Sequence, residues 1–378
     1  MPWAEVSTMS LRHEFVLLSL KAGANVAELC RRFGVSRKTG YKWRERFLHG
    51  GPSALEDRSR RPRRSPKRTP APVRTAVIEL RRRRRWGGRK IHHRLHALGH
   101  RHVPAPSTIS GILKRHGLID PSESLKHQPL RRFERAQPNE LWQMDFKGHF
   151  AIGTGRCHPL TVLDDHSRYS MALRACGNER GITVQQALTA TFRCYGLPEQ
   201  MLMDNGSPWG SDAEHVLTPL TVWLIRLGIR VAHIRPFHPQ TQGKDERFHR
   251  SLEVEVIQRQ CFRNLSHCQR HFDRWRDIYN LERPHESLQM QVPAQRYRPS
   301  TRAFPEHLPA IEYGLGDQVR QVQDHGALSF KGRWFRISKA LRGYPVALRP
   351  TTELSQWQVF FCNQCVATID LRHPRARS

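Results

Sequence analysis

Between Arg58 and Arg68 the chain reads Arg-Ser-Arg-Arg-Pro-Arg-Arg-Ser-Pro-Lys-Arg, seven cations and two prolines in eleven residues. No packed core absorbs that composition, and proline interrupts any helix that would carry it. The stretch reads as a flexible basic linker dividing a small front module from a longer rear section. The bias extends well beyond it. Residues 1–137 hold 32 Lys and Arg against 10 Asp and Glu, so 22 of the chain's 30 excess positive charges lie in this part. A surplus of that sign attracts polyanions, because each phosphate neutralised releases counterions. Nucleic acid is the expected partner. The 378 residues suffice for two to four domains. No run approaches a membrane span, and the opening Met-Pro-Trp-Ala-Glu carries no secretory pattern, so a cytoplasmic, nucleoid-associated chain with no membrane partner is expected. Eight scattered cysteines read as reduced thiols.

The front module, 1–57, has helical periodicity from Leu11 to Leu48. Phe15, Leu18 and Leu20 suggest a first helix. Asn25 and Glu28 form a capping box for a second, which stops at Gly34, and Ser36 caps a third from Arg37 to Phe47. Helix, glycine turn and helix is the helix-turn-helix layout, whose last helix enters the major groove. Arg37, Lys38, Thr39, Lys42 and Arg44 on its polar face are the DNA-binding candidates, with Tyr41, Trp43 and Phe47 packing behind or touching sugars. A plain three-helix bundle is the bland alternative, weakened by the cations that crowd the helix that would face DNA.

After the linker at 58–72, residues 73–120 repeat the idea. A helix runs from Val73 to Arg84, Gly87-Gly88 breaks the chain, and a second spans Arg89 to Leu98. Ser107 caps a third that ends at Arg115. Arg89 and Lys90 are the DNA-binding candidates here. His92, His93, His96, His100 and His102 lack a nearby cysteine pair to complete a zinc set, so they read as DNA-facing or solvated. A second linker covers 121–137.

From 138 to 305 strands and helices alternate. Leu141–Phe146, His158–Leu163 and Tyr169–Arg174 read as strands and Glu179–Tyr195 as a helix. Glu199–Met203 is a short strand ending at Asp204, Thr218 and Pro219 open a further helix ended by Gly228, and Ile229–Ile234 is a fifth strand. A polar loop, His238 to Gly243, leads into a helix carrying Lys244, Asp245, Glu246 and Arg247. Carboxylates thus stand at two strand tips and one helix start. Singly, each is an ordinary cap or turn former. In combination, Asp145, Asp204 and Glu246 suit phosphoryl transfer, where two divalent ions about 3.5–4 Å apart are held by oxygen ligands. Magnesium prefers such hard donors and keeps several waters.

Trp142-Gln143-Met144-Asp145, Asp204-Asn205-Gly206-Ser207-Pro208 and the run from His238 to His249 together resemble the integrase core of DDE transposases from bacterial insertion sequences, relatives of retroviral integrases. The resemblance continues through Tyr279–Leu288 and Pro293–Tyr297 and, with the front units, covers about four fifths of the chain. It implies a ribonuclease-H-like catalytic core and Asp145, Asp204 and Glu246 as a catalytic, metal-binding triad for two Mg2+ or Mn2+ ions. Asp245 competes with Glu246 for the third place. Glu246 fits the Gly-Lys-x-Glu-Arg pattern of similar transposases, with Phe248 and Leu252 to anchor the helix. Asp164 and Asp165 are candidate outer acids. Lys244, Arg247 and Arg250, one turn around the same helix, would neutralise phosphates. Retroviral integrases carry a zinc-binding unit at the front, whereas this chain carries two helix-turn-helix-like units there.

Residues 306–378 turn to short β runs: Val319–Gln323, Ala327–Phe330, Arg333–Ile337, Val346–Arg349 and Trp357–Phe361. They suggest a small barrel with Lys331, Arg333, Arg336, Lys339 and Arg342 as a basic face. Cys362-x-x-Cys365 is half a zinc site and reads as ordinary strand residues, and Cys261 and Cys268 as helix-packing thiols. The expected chain is therefore multidomain: an all-α helix-turn-helix front, an α/β ribonuclease-H-like core and a C-terminal β-barrel. Its expected function is a transposase that binds terminal inverted repeats and cuts and joins double-stranded DNA, element ends and target alike, as a homo-oligomer. A domesticated, non-catalytic DNA-binding regulator and a nuclease for RNA–DNA hybrids are the alternatives. The first has no need of three placed acids, and the paired groove readers argue against the second.

Overall fold

The computed structural model of the chain describes residues 7–59, 68–120, 134–210, 217–233, 243–353 and 355–377. The middle of the first basic linker, most of the second, and the loop from His238 to Gln242 lie outside the described residues. The fold divides into two units, Met1–Arg68 and Thr69–Ser378.

In the first unit short polar side chains start each helix. Ser7 accepts from Ser10 N ahead of α1 (Thr8–Ser19), Asn25 from Ala27 N and Glu28 N ahead of α2 (Val26–Arg32), and Ser36 from Thr39 N ahead of α3 (Arg37–Gly50). The capping box expected at Asn25 is only half formed, because the Glu28 carboxylate turns to Arg31, one turn along the helix. Gly34 takes the left-handed backbone, φ +63°, that lets α2 end and α3 begin. Phe15, Val16, Cys30, Trp43 and Leu55 form the core. Gly40 permits it: a Cβ there would lie 2.5 Å from Cys30 Sγ and 2.8 Å from Phe15 Cζ.

The second unit opens with the bundle α4 (Ala71–Arg84), α5 (Gly88–Ala97) and α6 (Pro106–Arg115), packed around Val77, Trp86, Ile91, Leu95 and Ile109. Ser107 is not the cap of α6. Ala105 holds that place and Pro106 takes the first turn, where its fixed φ suits a helix and its missing N–H costs nothing.

A mixed sheet follows. Its central strand β1 (Trp142–Phe146) lies antiparallel to β3 (Gly155–Asp164), which pairs antiparallel with β4 (Ser170–Cys176) and with the short, unanticipated β2 (Phe150–Ile152). On its other side β1 runs parallel to β5 (Gln200–Met203), and β5 parallel to β6 (Arg230–His233). Side chains alternate across the sheet. Trp142, Met144, Leu160 and Val162 meet α7 (Gly181–Tyr195) and α8 (Pro219–Arg226) on one face. Leu163 and Leu173 meet α9 (Gly243–Glu255) and α10 (Leu265–Leu281) on the other. This is the ribonuclease-H-like arrangement. Burial of a side chain such as Phe192 or Phe272, both fully covered, contributes about 1.5–3 kcal/mol. The helical bundle leans on the same body: Ile278 of α10 joins its core, and Arg84 and Arg94 both reach the Glu282 carboxylate, at 3.3 and 3.1 Å.

The C-terminal module departs from expectation. β7 (Gln318–Gln321), β10 (Pro345–Pro350), β11 (Gln356–Phe361), β12 (Gln364–Asp370) and β13 (His373–Arg377) form a five-stranded antiparallel sheet. β8 (Ala327–Phe330) and β9 (Arg333–Arg336) make a separate hairpin. The expected barrel is not closed: among the described residues no ladder joins β13 to β7. The apolar side chains that a barrel would wrap around, including Phe330, Val346, Leu348 and Val359, run continuously into the core of the α/β body instead. Cys362 sits in the turn between β11 and β12 with φ +50°, not in a strand, and Cys365 lies in β12. The two bodies are joined at a sheet edge. The Gln364 side chain accepts from Val231 N at 2.8 Å and donates to Val231 O at 3.0 Å, which covers the open side of β6.

Gln364→Ala leaves both Val231 groups unpaired and should lower stability by about 1–3 kcal/mol. Hydrogen exchange at the Val231 amide should accelerate while β1 amides keep their rates.

Candidate active site

Alternation along β1 turns Trp142 and Met144 toward α7 and α8, so Asp145 faces α9 and α10. The register Trp142↔Met201 and Gln143↔Leu202, continued two residues, aligns Asp145 with Asp204 on the adjacent parallel strand. Asp204 is held from two sides. Its Oδ1 accepts from Gly206 N at 3.0 Å, and its carbonyl accepts from His233 Nδ1 at 2.8 Å. Glu246 stands in the first turn of α9, on the exposed side of that helix. Phe248 and Leu252 point the other way into the core, Phe248 meeting the Trp275 and Tyr279 rings at 5.2 and 4.8 Å between centroids.

Asp145 lies in the field of the other acids. Burial, then the charge of Asp204, then those of Glu179 and Glu246 push the Asp145 carboxyl up to about 7. Burial also raises Asp204, with Glu179 adding to it. Glu179 is a fourth acid that sequence reasoning took only as a helix start. It precedes α7, and its carboxylate lies 2.7 Å from His158 Nδ1. Among the described residues no Lys or Arg pairs with Asp145, Asp204 or Glu246. Nor, among the described residues, are three acidic, His or Cys side chains already drawn together as a ready cage for one ion. The set is an open one of mutually repelling oxygen donors.

His249, one turn beyond Glu246 and the last residue of the motif from His238, is a further neighbour to which the sequence assigned no role. The Thr161 hydroxyl donates to Asp145 O at 3.0 Å, so His249 Nε2, 2.9 Å from that hydroxyl, is the donor to it. Its Nδ1 lone pair is thereby left facing Asp145 Oδ2 at 4.0 Å. Burial pushes the ring down to about 4, which keeps it neutral.

The remaining acids lie apart from this set. Asp164 closes a turn, accepting from Asn139 N and from the Ser167 N–H and hydroxyl at 2.6–2.7 Å. Asp165, its side chain fully buried, accepts from Arg135 N at 2.8 Å and Gln143 Nε2 at 2.7 Å, and pairs with the Lys244 ammonium. Lys244, expected to meet phosphate, is thus an anchor for the start of α9. Asp245 is buried with Oδ1 lacking a hydrogen bond, and burial followed by Asp145 and Asp165 raises it well above the carboxylate range. Of the two candidates for the third place, only Glu246 reaches the surface.

The proposed DNA contacts divide between the units. On α3, Arg37, Lys38 and Lys42 are exposed, whereas Thr39 and Arg44 are half-buried and Thr39 engages the Ser36 cap. Trp43 is buried beneath cations from Arg12, Lys42 and Arg46, 4.0–4.8 Å from its ring. In the second unit Arg89, Lys90, Arg247 and Arg250 line one cavity.

Lys244→Met strands the Asp165 carboxylate inside the protein and should cost about 3 kcal/mol in urea unfolding. The double variant Lys244→Met/Asp165→Asn should recover most of that loss, since no buried charge then remains.

Comparison with known proteins follows the same division. Residues 135–239 and 227–293 match families described as integrase core domain, and residues 317–377 match the C-terminal domain of IS481 family transposases. Residues 12–63 match a helix-turn-helix domain, and residues 39–113 a homeodomain-like domain. A 31.7 kDa uncharacterized protein of insertion element IS407 from Burkholderia multivorans is 26% identical over 222 residues, 56% of this chain and 76% of that protein. A 39.2 kDa protein of insertion element IS476 from Xanthomonas euvesicatoria is 29% identical over 160 residues, 42% of this chain and 44% of that one. Among solved structures, the simian T-cell lymphotropic virus intasome bound to the PP2A subunit B56 gamma aligns over 80% of this chain and 98% of its own, at 14% identity and a TM-score of 0.41. The HTLV-2 integrase catalytic core with magnesium aligns over 43% of this chain and 97% of its own, at 13% identity and a TM-score of 0.32. Among the described residues no helix is long and apolar enough to cross a membrane.

Proposed function

For this chain, a transposase of the insertion-sequence type built around a retroviral-type integrase core, we propose that Asp145, Asp204 and Glu246 are the catalytic, metal-binding triad of a DNA strand transferase. The observation that carries the assignment is electrostatic. In a protein of net charge +30, three acids, on β1, just past β5 and on α9, place Asp145 in the negative field of the other two and, among the described residues, have no Lys or Arg partner. Such a set lacks positive charge, and its all-oxygen donors fit a hard divalent cation. When bound there, a pair of Mg2+ or Mn2+ ions supplies Lewis-acid stabilisation of the charge that develops on the attacking and leaving oxygens.

The chain's own residues position the rest. The helix-turn-helix units bind duplex DNA, and in this reading they recognise the terminal inverted repeats. Asp145 and Asp204, on neighbouring strands, fix the face on which the scissile phosphate lies. Glu246 closes the site from α9, whose start is held by Lys244 on Asp165. In the first reaction a water oxygen attacks phosphorus and the 3′ oxygen leaves, freeing a 3′-hydroxyl. In the second, that hydroxyl attacks a target phosphodiester in line, and a new P–O bond replaces the broken one. No residue is covalently attached to DNA at either step. Joining two element ends to one target brings two copies of the chain together.

Asp145→Asn, Asp204→Asn and Glu246→Gln should each lower Mg2+-dependent strand joining by roughly a thousandfold, several kcal/mol of transition-state stabilisation. Binding to DNA carrying the element ends should stay close to wild type. Mg2+ should raise the melting temperature of the wild-type protein and not that of Asp145→Asn. Full joining by the variants, or equal loss of binding and joining, would refute the assignment.

A further inference from the structure

A cavity of about 590 Å³ opens between the bundle α4–α6 and the α9–α10 layer, and the catalytic assignment leaves it without a role. Arg85, Arg89 and Lys90 enter it from the corner between α4 and α5, and Arg247 and Arg250 from α9. Among the described residues none of these five side chains makes a hydrogen bond or ion pair. Arg283 also lines the cavity, but it is satisfied by Glu255 Oε1 at 3.0 Å and Ser251 Oγ at 2.9 Å. Glu286 is the one other carboxylate on the wall.

We propose that this cleft binds the sugar–phosphate backbone of duplex DNA at two or more phosphates, so that the second helical bundle and the catalytic helix grip one segment of the same DNA. The inference rests on the reading of the chain as a DNA-acting enzyme, and it requires no metal at the triad. Three observations carry it. Five basic side chains converge without an ion pair of their own against two wall carboxylates, one of them, Glu255, already taken by Arg283, an arrangement that self-repulsion disfavours until an anion arrives. Two of them, Arg247 beside Glu246 and Arg250 one turn on, lie on the helix that carries the proposed catalytic acid. That selects a nucleic-acid backbone over an acidic protein as the occupant. Finally, the walls are tied together. Arg84 and Arg94 share Glu282, and Arg259 of the segment after α9 donates to the carbonyls of Arg82 and Arg83 at 3.1 and 2.5 Å. The cleft is therefore preformed, and it sets a constant distance between DNA held by the bundle and the phosphate presented to Asp145.

Lys90 supplies a reporter. Burial, with Arg283 beside it, holds its ammonium down to about 7, so part of it is a neutral, acylatable amine at neutral pH.

The test uses the full-length protein in EDTA with a random-sequence duplex of about 30 base pairs, long enough to cover several phosphate contacts. The double variant Arg89→Ser/Arg250→Ser removes two exposed cations from the cleft. Arg156→Ser/Arg298→Ser removes two exposed cations outside it. The slope of log binding constant against log salt should fall by about 2 in the cleft variant, since each lost phosphate contact is worth about 0.9. It should hardly change in the control. In the wild-type protein the duplex should slow acetylation of Lys90 severalfold, read by peptide mass spectrometry. Equal slopes in the two variants, or Lys90 acetylation indifferent to DNA, would overturn the proposal. So would protection of Lys90 by poly-glutamate as complete as that by the duplex, which would assign the cleft to an acidic protein. No metal and no turnover enter these measurements, so failure of the triad assignment would leave their outcome unchanged.

Discussion

The Asp165 carboxylate, sealed beneath the start of α9, is the interaction on which the site depends. It gathers the Arg135 amide, the Gln143 side chain of β1 and the Lys244 ammonium of α9, so one buried anion ties the central strand to the helix that carries Glu246. Burying an ion pair costs desolvation that mutual attraction only partly returns, and such pairs are better at fixing geometry than at adding stability. Here the geometry is the product. Phe248 and Leu252 press α9 against α10, and Lys244 fixes where the helix begins, which leaves Glu246 outward beside Asp145. Asp245, one residue away, is turned into the interior.

Charge is arranged in opposite senses on two sides of α9. Toward the sheet stand acids without basic partners, where burial first, and then the charges of Asp204, Glu179 and Glu246, raise Asp145 to about 7. Toward the α4–α6 bundle stand cations without ion pairs, where burial first, and then the nearby Arg283, hold Lys90 down to about 7. Both are strained until ligands of opposite sign occupy them. In the proposed reading a nucleic-acid backbone with divalent cations would supply the two at once, and the helix between them would couple their positions.

Much of the architecture was legible along the chain. Ser36 and Thr218 cap the helices expected of them, Gly34 and Gly228 end helices with positive φ, and the alternation around Asp145 marks a strand. These features succeed because they are local: a cap or a glycine turn is satisfied within four residues. The failures are those in which a competing partner, near or distant, decides. Glu28 prefers Arg31 to its capping role, Pro106 displaces Ser107, and the β module spends its apolar face on the α/β body instead of closing into a barrel. β12 and β13 escaped notice because Gln364–Asp370 mixes polar and apolar residues without strict alternation.

By itself the sequence pointed to an excess of basic residues that attracts a polyanion, to helix-turn-helix units, and to acids at two strand tips and one helix start. Those depend on residue type and short spacing, which the chain carries everywhere it goes. Tertiary structure alone decided which acids share a field, that Glu179 joins them, that Lys244 serves Asp165, and that Arg89 and Arg250, 161 positions apart, face one cavity. The reason is that electrostatic energy depends on separation and burial in space, and neither is encoded until the helices and strands have packed.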